Sequence, residues 1–220
     1  MSAGRPSFDP SVYLVTDSGQ ARRRGRDVVD VVAAAVRGGV TAVQVREKEA
    51  PTHAVVELLG RVAAVLPAGV ALVVNDRVDA LLAARRAGIA VDGVHLGQAD
   101  LPVGTVRRLV GADALVGVSA RTPAELAAAE AAGADYVGIG PVRTTTTKRD
   151  APAGMGLAAF GELARAARSP AVGIGGLTVG DVPALRRAGA AGVAVVSAVC
   201  LADDPRRAAA ELAAAWAAAA

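Results

Sequence analysis

Gln44, Arg46 and Lys48 are spaced two apart, so on an extended segment their side chains leave the same face. Two cations on one face of an apolar strand are costly to bury unless an acid or an anion meets them. A polyphosphate would meet them, and so would a rim of ion pairs to Glu47 or Glu49. Of 24 Lys and Arg, only Lys48 and Lys148 are lysines. A planar guanidinium does not reproduce a compact, flexible ammonium, so lysines kept in an arginine-rich chain point to a site. Asn75, the only asparagine, directly precedes Asp76. Asp76 and Asp100 follow successive apolar runs, where their carboxylates can converge. Oxygen ligands without a Cys or His cluster suit a hard cation such as Mg²⁺. That ion takes one or two carboxylates and completes its shell with water and phosphate oxygens. The plainer role for Asp76 is to cap a helix beginning at Arg77.

A second group of residues could hold phosphate. The segment Gly140-Pro141-Val142-Arg143-Thr144-Thr145-Thr146-Thr147-Lys148 brings four hydroxyls and an ammonium together, a donor surface for an anion or simply a solvated loop. Gly175-Gly176 and Val196-Ser197 follow late apolar runs, where backbone N–H groups can cradle phosphate. His95 reads as a core or rim histidine, and His53 is given no role. No Ser-His-Asp set, no Cys with a His base and no strand lysine suited to a Schiff base is present. Loss of pyrophosphate would need none of these. It needs a neutralised leaving group and a site that excludes water.

These residues must be positioned by the elements around them. Apolar runs predict strands over 12–16, 42–45, 71–74, 93–96, 115–118, 136–139, 171–174 and 193–196. Continuously apolar strands suit a sheet buried on both faces. Amphipathic runs predict helices over 27–37, 52–66, 77–87, 103–110, 123–132, 157–167, 179–188 and 205–219. Thr52, Thr122 and Thr178 are placed to be N-caps, and Glu125 completes a capping box with Thr122. Eight strand-helix units in 220 residues predict a single-domain (β/α)8 TIM barrel over 11–220, with residues 1–10 as a flexible arm. In such a barrel the active site lies at the C-terminal ends of the strands. The residues singled out above all fall there.

Composition excludes other classes. With 53% hydrophobic and 20% charged residues the chain is not disordered. Aromatic content of 2% and a dispersed net charge of +3 argue against nucleic-acid binding. One cysteine fits a reducing cytoplasm. No uncharged apolar run reaches the roughly 20 residues of a membrane helix, and no signal-peptide core is seen. The expected partners are small phosphorylated molecules, with no nucleic acid and no membrane; a homo-oligomer is left open.

The chain resembles the thiamine phosphate synthase family over roughly residues 11–200. The resemblance is carried by seven ordered motifs. They are Gln44 to Lys48; Asn75-Asp76; Asp92-Gly93-Val94-His95-Leu96-Gly97-Gln98-Ala99-Asp100; Gly117-Val118-Ser119; Gly140-Pro141 through Thr147-Lys148; Gly173-Ile174-Gly175-Gly176; and Val195-Val196-Ser197. The resemblance implies condensation of hydroxymethylpyrimidine diphosphate with thiazole phosphate, giving thiamine monophosphate and pyrophosphate after dissociative loss of the Mg²⁺-bound leaving group. It implies that Gln44 contacts the pyrimidine and that Arg46, Lys48, Asn75 and Lys148 hold the diphosphate. It places Mg²⁺ on Asp76 and Asp100, and Ser119 at the leaving-group end. Thr145, Thr147, Gly176, Val196 and Ser197 then hold the thiazole phosphate. Arg46, Ser119 and Lys148 carry the catalytic step.

Two departures from the family pattern stand out. Arg143 and Thr144 replace an aromatic and a proline, and Ala120-Arg121 replaces Thr-His. The related thiazole tautomerase, an isomerase, uses a His in the latter segment. That isomerase and a non-catalytic phosphate-binding barrel are the competing expectations.

Overall fold

The structure is a computed structural model that describes residues 8–145, 147 and 152–219. The eight apolar runs form eight parallel strands that close into a barrel in chain order. They are β1 (Val12–Val15), β2 (Ala42–Val45), β3 (Ala71–Asn75), β4 (Gly93–Leu96), β5 (Leu115–Ala120), β6 (Tyr136–Ile139), β7 (Ala171–Ile174) and β8 (Gly192–Val195). Closure is made by β1 against β8, with Tyr13 opposite Ala194.

The helices are α1 (Ser18–Arg23), α2 (Val28–Arg37), α3 (Thr52–Ala63), α4 (Val78–Arg86), α5 (Val103–Val110), α6 (Pro123–Ala131), α7 (Gly156–Ala166), α8 (Val182–Arg187), α9 (Ser197–Cys200) and α10 (Pro205–Ala218). The expected single-domain TIM barrel is the observed one. Among the described residues no helix is long and apolar enough to cross a membrane.

Alternation along each strand makes two cores. Side chains pointing outward, such as Leu14, Val43, Leu72, Val94, Val116 and Val137, pack under the helices with Leu59, Leu81, Phe160 and Leu185. The inward set is smaller: Tyr13, Val15, Ala42, Ala71, Leu115, Tyr136, Val172 and Ala194. Alanines on β2, β3 and β8 leave the interior room for two tyrosine rings. Phe8 closes that end, its ring 4.5 Å from Tyr136 and 5.9 Å from Tyr13. A Cβ at Gly192 would lie 1.8 Å from the Pro10 carbonyl oxygen, so β8 lets the entering chain pass close beneath it. Of the part of the expected arm that is described, Phe8 and Pro10 pack against the barrel, because Phe8 has an aromatic floor to cover, while Asp9 is exposed.

Local signals explain most helix ends. Thr122 and Glu125 form the expected capping box at α6. Thr178 caps too, with Asp181, but on a 3-10 turn over Val179–Asp181. The single helix expected over 179–188 restarts as α8, with Pro183 in its first turn, where no N–H is needed. Thr52 is not a cap. Pro51 holds that position, and the Thr52 hydroxyl instead donates to Asp79 at 2.8 Å while accepting from Arg77. The sequence pattern did not reveal α1 or α9. Each is six residues or fewer, too short to show a helical period.

Candidate functional site

The C-terminal ends of the strands surround one cavity of about 590 Å³. It collects Gln44, Arg46, Lys48, Asn75, Asp76, Asp100, Ser119, Thr145, Thr147, Gly176, Val196 and Ser197. Every sequence-predicted site residue within the described chain is thus at one place. Lys148, together with Thr146, lies outside the described residues.

On the β2–β4 side the site is built from charge. Gln44 is the only one of the three spaced residues inside β2 and is buried. Arg46 follows it, its backbone N–H donating to the Thr16 hydroxyl at 3.1 Å, and Lys48 is exposed at the cavity edge. The rim ion pairs weighed from sequence do not form. Glu47 accepts instead from the Ser18 hydroxyl at the start of α1. Among the described residues neither Arg46 nor Lys48 has a carboxylate within 4.0 Å.

Asp76 is not the cap of α4, a position held by Arg77 without a side-chain cap bond. It is the one described non-glycine residue with positive φ, at 61°. That region strains an L-residue, though Asp tolerates it better than most. Its N–H donates to the His95 carbonyl at 2.8 Å, and its own carbonyl accepts from Val78 at 3.1 Å, which holds the turn in place. Burial, together with the Asp100 carboxylate beside it, pushes the Asp76 carboxyl up to about 6, against the pull of Lys48. Asp100 is fixed by the Gly97 N–H, which donates to it at 2.6 Å.

This pair suits a hard divalent cation. Both side chains are carboxylates, the two are held close together, and a cation between them would remove the repulsion that now favours a proton. Among the described residues no cluster of three or more His, Cys, Asp or Glu could hold a metal. Such an ion would take the rest of its shell from water and substrate.

The β6–β8 side is built from backbone and hydroxyls. The chain after β6 is stitched to the end of β7, with Val142 N–H on the Ile174 carbonyl at 2.8 Å and Arg143 N–H on the Gly175 carbonyl at 3.0 Å. Gly176 has φ 64°, and a Cβ there would lie 2.4 Å from the Thr144 carbonyl oxygen, so only glycine fits. Thr145 Oγ1 accepts from the Thr147 N–H at 3.2 Å. Arg143, where the family pattern has an aromatic, reaches away to Asp181 at 2.8 Å. Arg121 lines the cavity beyond Ser119, while Ala120 is buried.

Several residues at the site had been given no site role from the sequence. The Gln98 amide donates to the Ser119 carbonyl at 2.6 Å. Gln20 of α1 reaches toward the Thr147 hydroxyl at 3.5 Å. His95, read as a core or rim residue, bonds Ser119 Oγ through Nε2 at 3.0 Å and the Tyr136 hydroxyl through Nδ1 at 3.1 Å. Burial lowers its imidazole to about 4.

Comparison with known proteins agrees with this geometry. A sequence model described as thiamine monophosphate synthase matches residues 12–199. The chain belongs to the thiamine monophosphate synthase family. A thiamine-phosphate synthase of Xanthobacter autotrophicus is 46% identical over 209 residues, covering 94% of this chain and 96% of that protein. Another, from Chloroflexus aurantiacus, is 46% identical over 205 residues, covering 93% and 91%. The solved thiamine phosphate pyrophosphorylase of Pyrococcus furiosus superposes with a TM-score of 0.84 at 32% identity, covering 96% of this chain and 97% of that one. A 3-hexulose-6-phosphate synthase, at TM-score 0.65 and 19% identity, shares the fold. The matched residues 12–199 of this chain span β1 through most of α9 and so include every cavity residue named above.

Proposed function

We propose that this cavity joins hydroxymethylpyrimidine diphosphate to thiazole phosphate, releasing thiamine monophosphate and pyrophosphate. One observation carries the reading. A charged half and a backbone-lined half, each suited to an anion, face one cavity of about 590 Å³ that can hold both substrates. Arg46 and Lys48, without carboxylate partners among the described residues, meet the diphosphate with Asn75, and Lys148 joins them by its place in the sequence motif. Asp76 and Asp100 would hold Mg²⁺, which when bound neutralises charge on the departing pyrophosphate.

The chain's own residues then have distinct tasks. Ser119 stands at the leaving-group end and donates to it. Gln44, buried at the centre, reads the pyrimidine. Thr145, Thr147, Gly176, Val196 and Ser197 hold the thiazole phosphate, so that its ring nitrogen faces the methylene carbon as the C–O bond breaks. Donors already in place stabilise the charge that develops, and a thiazole held against the methylene carbon limits capture of the cation by water.

The test is pyrophosphate release with both substrates and Mg²⁺. The expected result is one pyrophosphate per thiamine monophosphate, with no turnover when either substrate or the metal is withheld. Conversion of a thiazole carboxylate tautomer without diphosphate would instead indicate the isomerase, and binding without turnover a non-catalytic barrel.

A further inference from the structure

Beneath the cavity an unbroken hydrogen-bonded chain crosses the barrel interior. It runs from Gln44 Nε2 to the Tyr13 hydroxyl at 3.0 Å, on to the Tyr136 hydroxyl at 2.8 Å, to His95 Nδ1 at 3.1 Å, and from His95 Nε2 to Ser119 Oγ at 3.0 Å. Five residues on β2, β1, β6, β4 and β5 take part. Both tyrosines of the chain are among them, in an interior otherwise lined by Ala42, Ala71, Leu115, Val172 and Ala194.

The barrel makes room for it. A Cβ at Gly117 would lie 2.1 Å from the Tyr136 ring and 2.4 Å from its hydroxyl oxygen. A Cβ at Gly138 would come within 3.0 Å of the His95 ring. A phenol sunk among alanines costs free energy unless its hydroxyl is paired, and here both are.

The polarity of the chain follows from donor counting. The Gln44 Nε2 group can only donate, so the Tyr13 oxygen accepts and turns its own proton to Tyr136. Tyr136 in turn gives its proton to His95 Nδ1. In that polarity Nδ1 accepts and carries no proton, which makes His95 the neutral Nε2–H tautomer donating to Ser119. Ser119 Oγ, already accepting, has its own proton free for the cavity. At the far end, with Nε2 turned to Tyr13, Gln44 presents its carbonyl oxygen as an acceptor. If the Gln44 amide were turned over, every bond would reverse, and Ser119 would spend its proton on His95.

We propose that this one-way chain couples the two ends of the diphosphate substrate, with Tyr13, Tyr136 and His95 as positioning residues. An amino group on the base, accepted by Gln44, and an anion at Ser119 select the same orientation of all five groups. The coupling deepens the proposed reaction and rests on it for the identity of the two substrate groups. The directional chain itself does not depend on that reaction.

Ring ¹⁵N NMR of the histidines and steady-state kinetics test it together. The wild-type protein is expected to show His95 as the Nε2–H tautomer, and Tyr136→Phe to shift it toward a mixture. Loss of one neutral hydrogen bond sets a fall in kcat of about three- to tenfold, with KM for thiazole phosphate unchanged. In a Ser119→Ala background, Tyr136→Phe should cost little more, because the donor it orients is gone. Tyr13→Phe should move the tautomer in the same direction.

An Nδ1–H tautomer in the wild type would overturn the proposal. So would a Tyr136→Phe penalty that persists in full without Ser119, or a Tyr136→Phe protein with lowered Tm and unchanged kcat. If the protein released no pyrophosphate, the reaction would be wrong while the tautomer measurement still judged the chain.

Discussion

The two halves of the cavity are built by different means. Around β2–β4 the lining is polar and charged side chains: Arg46, Lys48, Asn75, Asp76 and Asp100. Around β6–β8 they are hydroxyls and backbone groups held by glycine conformations, with Gly175 at φ 98° and Gly176 at φ 64°. The charged half provides strong attraction and a place for a cation that charge has to balance. The backbone half provides a shaped cradle whose donors carry no net charge. A leaving group that gains negative charge needs the first, whereas a phosphate that only anchors its substrate is served by the second.

The largest expected effect breaks the charged half. Asp76→Ala and Asp100→Ala should each raise the Mg²⁺ requirement and lower kcat, by about 10²–10³ if the loss matches that of other preorganised electrostatic groups. Titration of pyrophosphate release against Mg²⁺ checks this; wild-type Mg²⁺ dependence in both variants would remove the carboxylates from that role.

Next, Gly176→Ala places a Cβ in the left-handed region and 2.4 Å from the Thr144 carbonyl oxygen. It should raise KM for thiazole phosphate more than for the diphosphate substrate, since only the backbone half is deformed. Ser197→Ala should act on the same side. One hydrogen bond to a charged phosphate is worth roughly 1.5–3 kcal/mol, or about ten- to a hundredfold in affinity. An equal rise in both KM values would mean that the halves are not separate.

The smallest effect sharpens the electrostatic part. Burial and Asp100 raise the Asp76 carboxyl to about 6, above its ordinary carboxylate value. With the folded value above the unfolded one, ionised Asp76 opposes folding as pH rises through 4 to 6, and the cost is complete above that. Metal-free Asp76→Asn should therefore melt higher than wild type at pH 8, by about 2–4 °C for each kcal/mol relieved, and equally near pH 3. Mg²⁺ should raise the wild-type Tm at pH 8 but not that of the variant. A variant that melted lower at pH 8 would place Asp76 in a stabilising ion pair instead.

The sequence made the charged half readable because charge interrupts apolar strands visibly. Arg46 and Lys48 stand out against Ala42–Val45, and the strands themselves emerge from β-branched runs that must be buried on both faces. The backbone half was only partly visible. Gly175-Gly176 signals a special conformation, but its facing partners, the Thr144 carbonyl and Pro141, come from another strand end. The interior chain was hidden for the same reason in stronger form. Tyr13, Tyr136 and His95 lie on three strands, and each taken alone looks like core. Thr52 shows a local signal overruled by tertiary contacts, because its hydroxyl was recruited by Asp79 and Arg77.

The most direct test of the two-halves account is a crystal structure with Mg²⁺, pyrophosphate and thiamine monophosphate bound together. The account predicts pyrophosphate against Arg46 and Lys48, with the metal on Asp76 and Asp100, and the thiamine phosphate group against Gly176 and Ser197. Pyrophosphate seated on the glycine side, or a metal held away from both carboxylates, would contradict it.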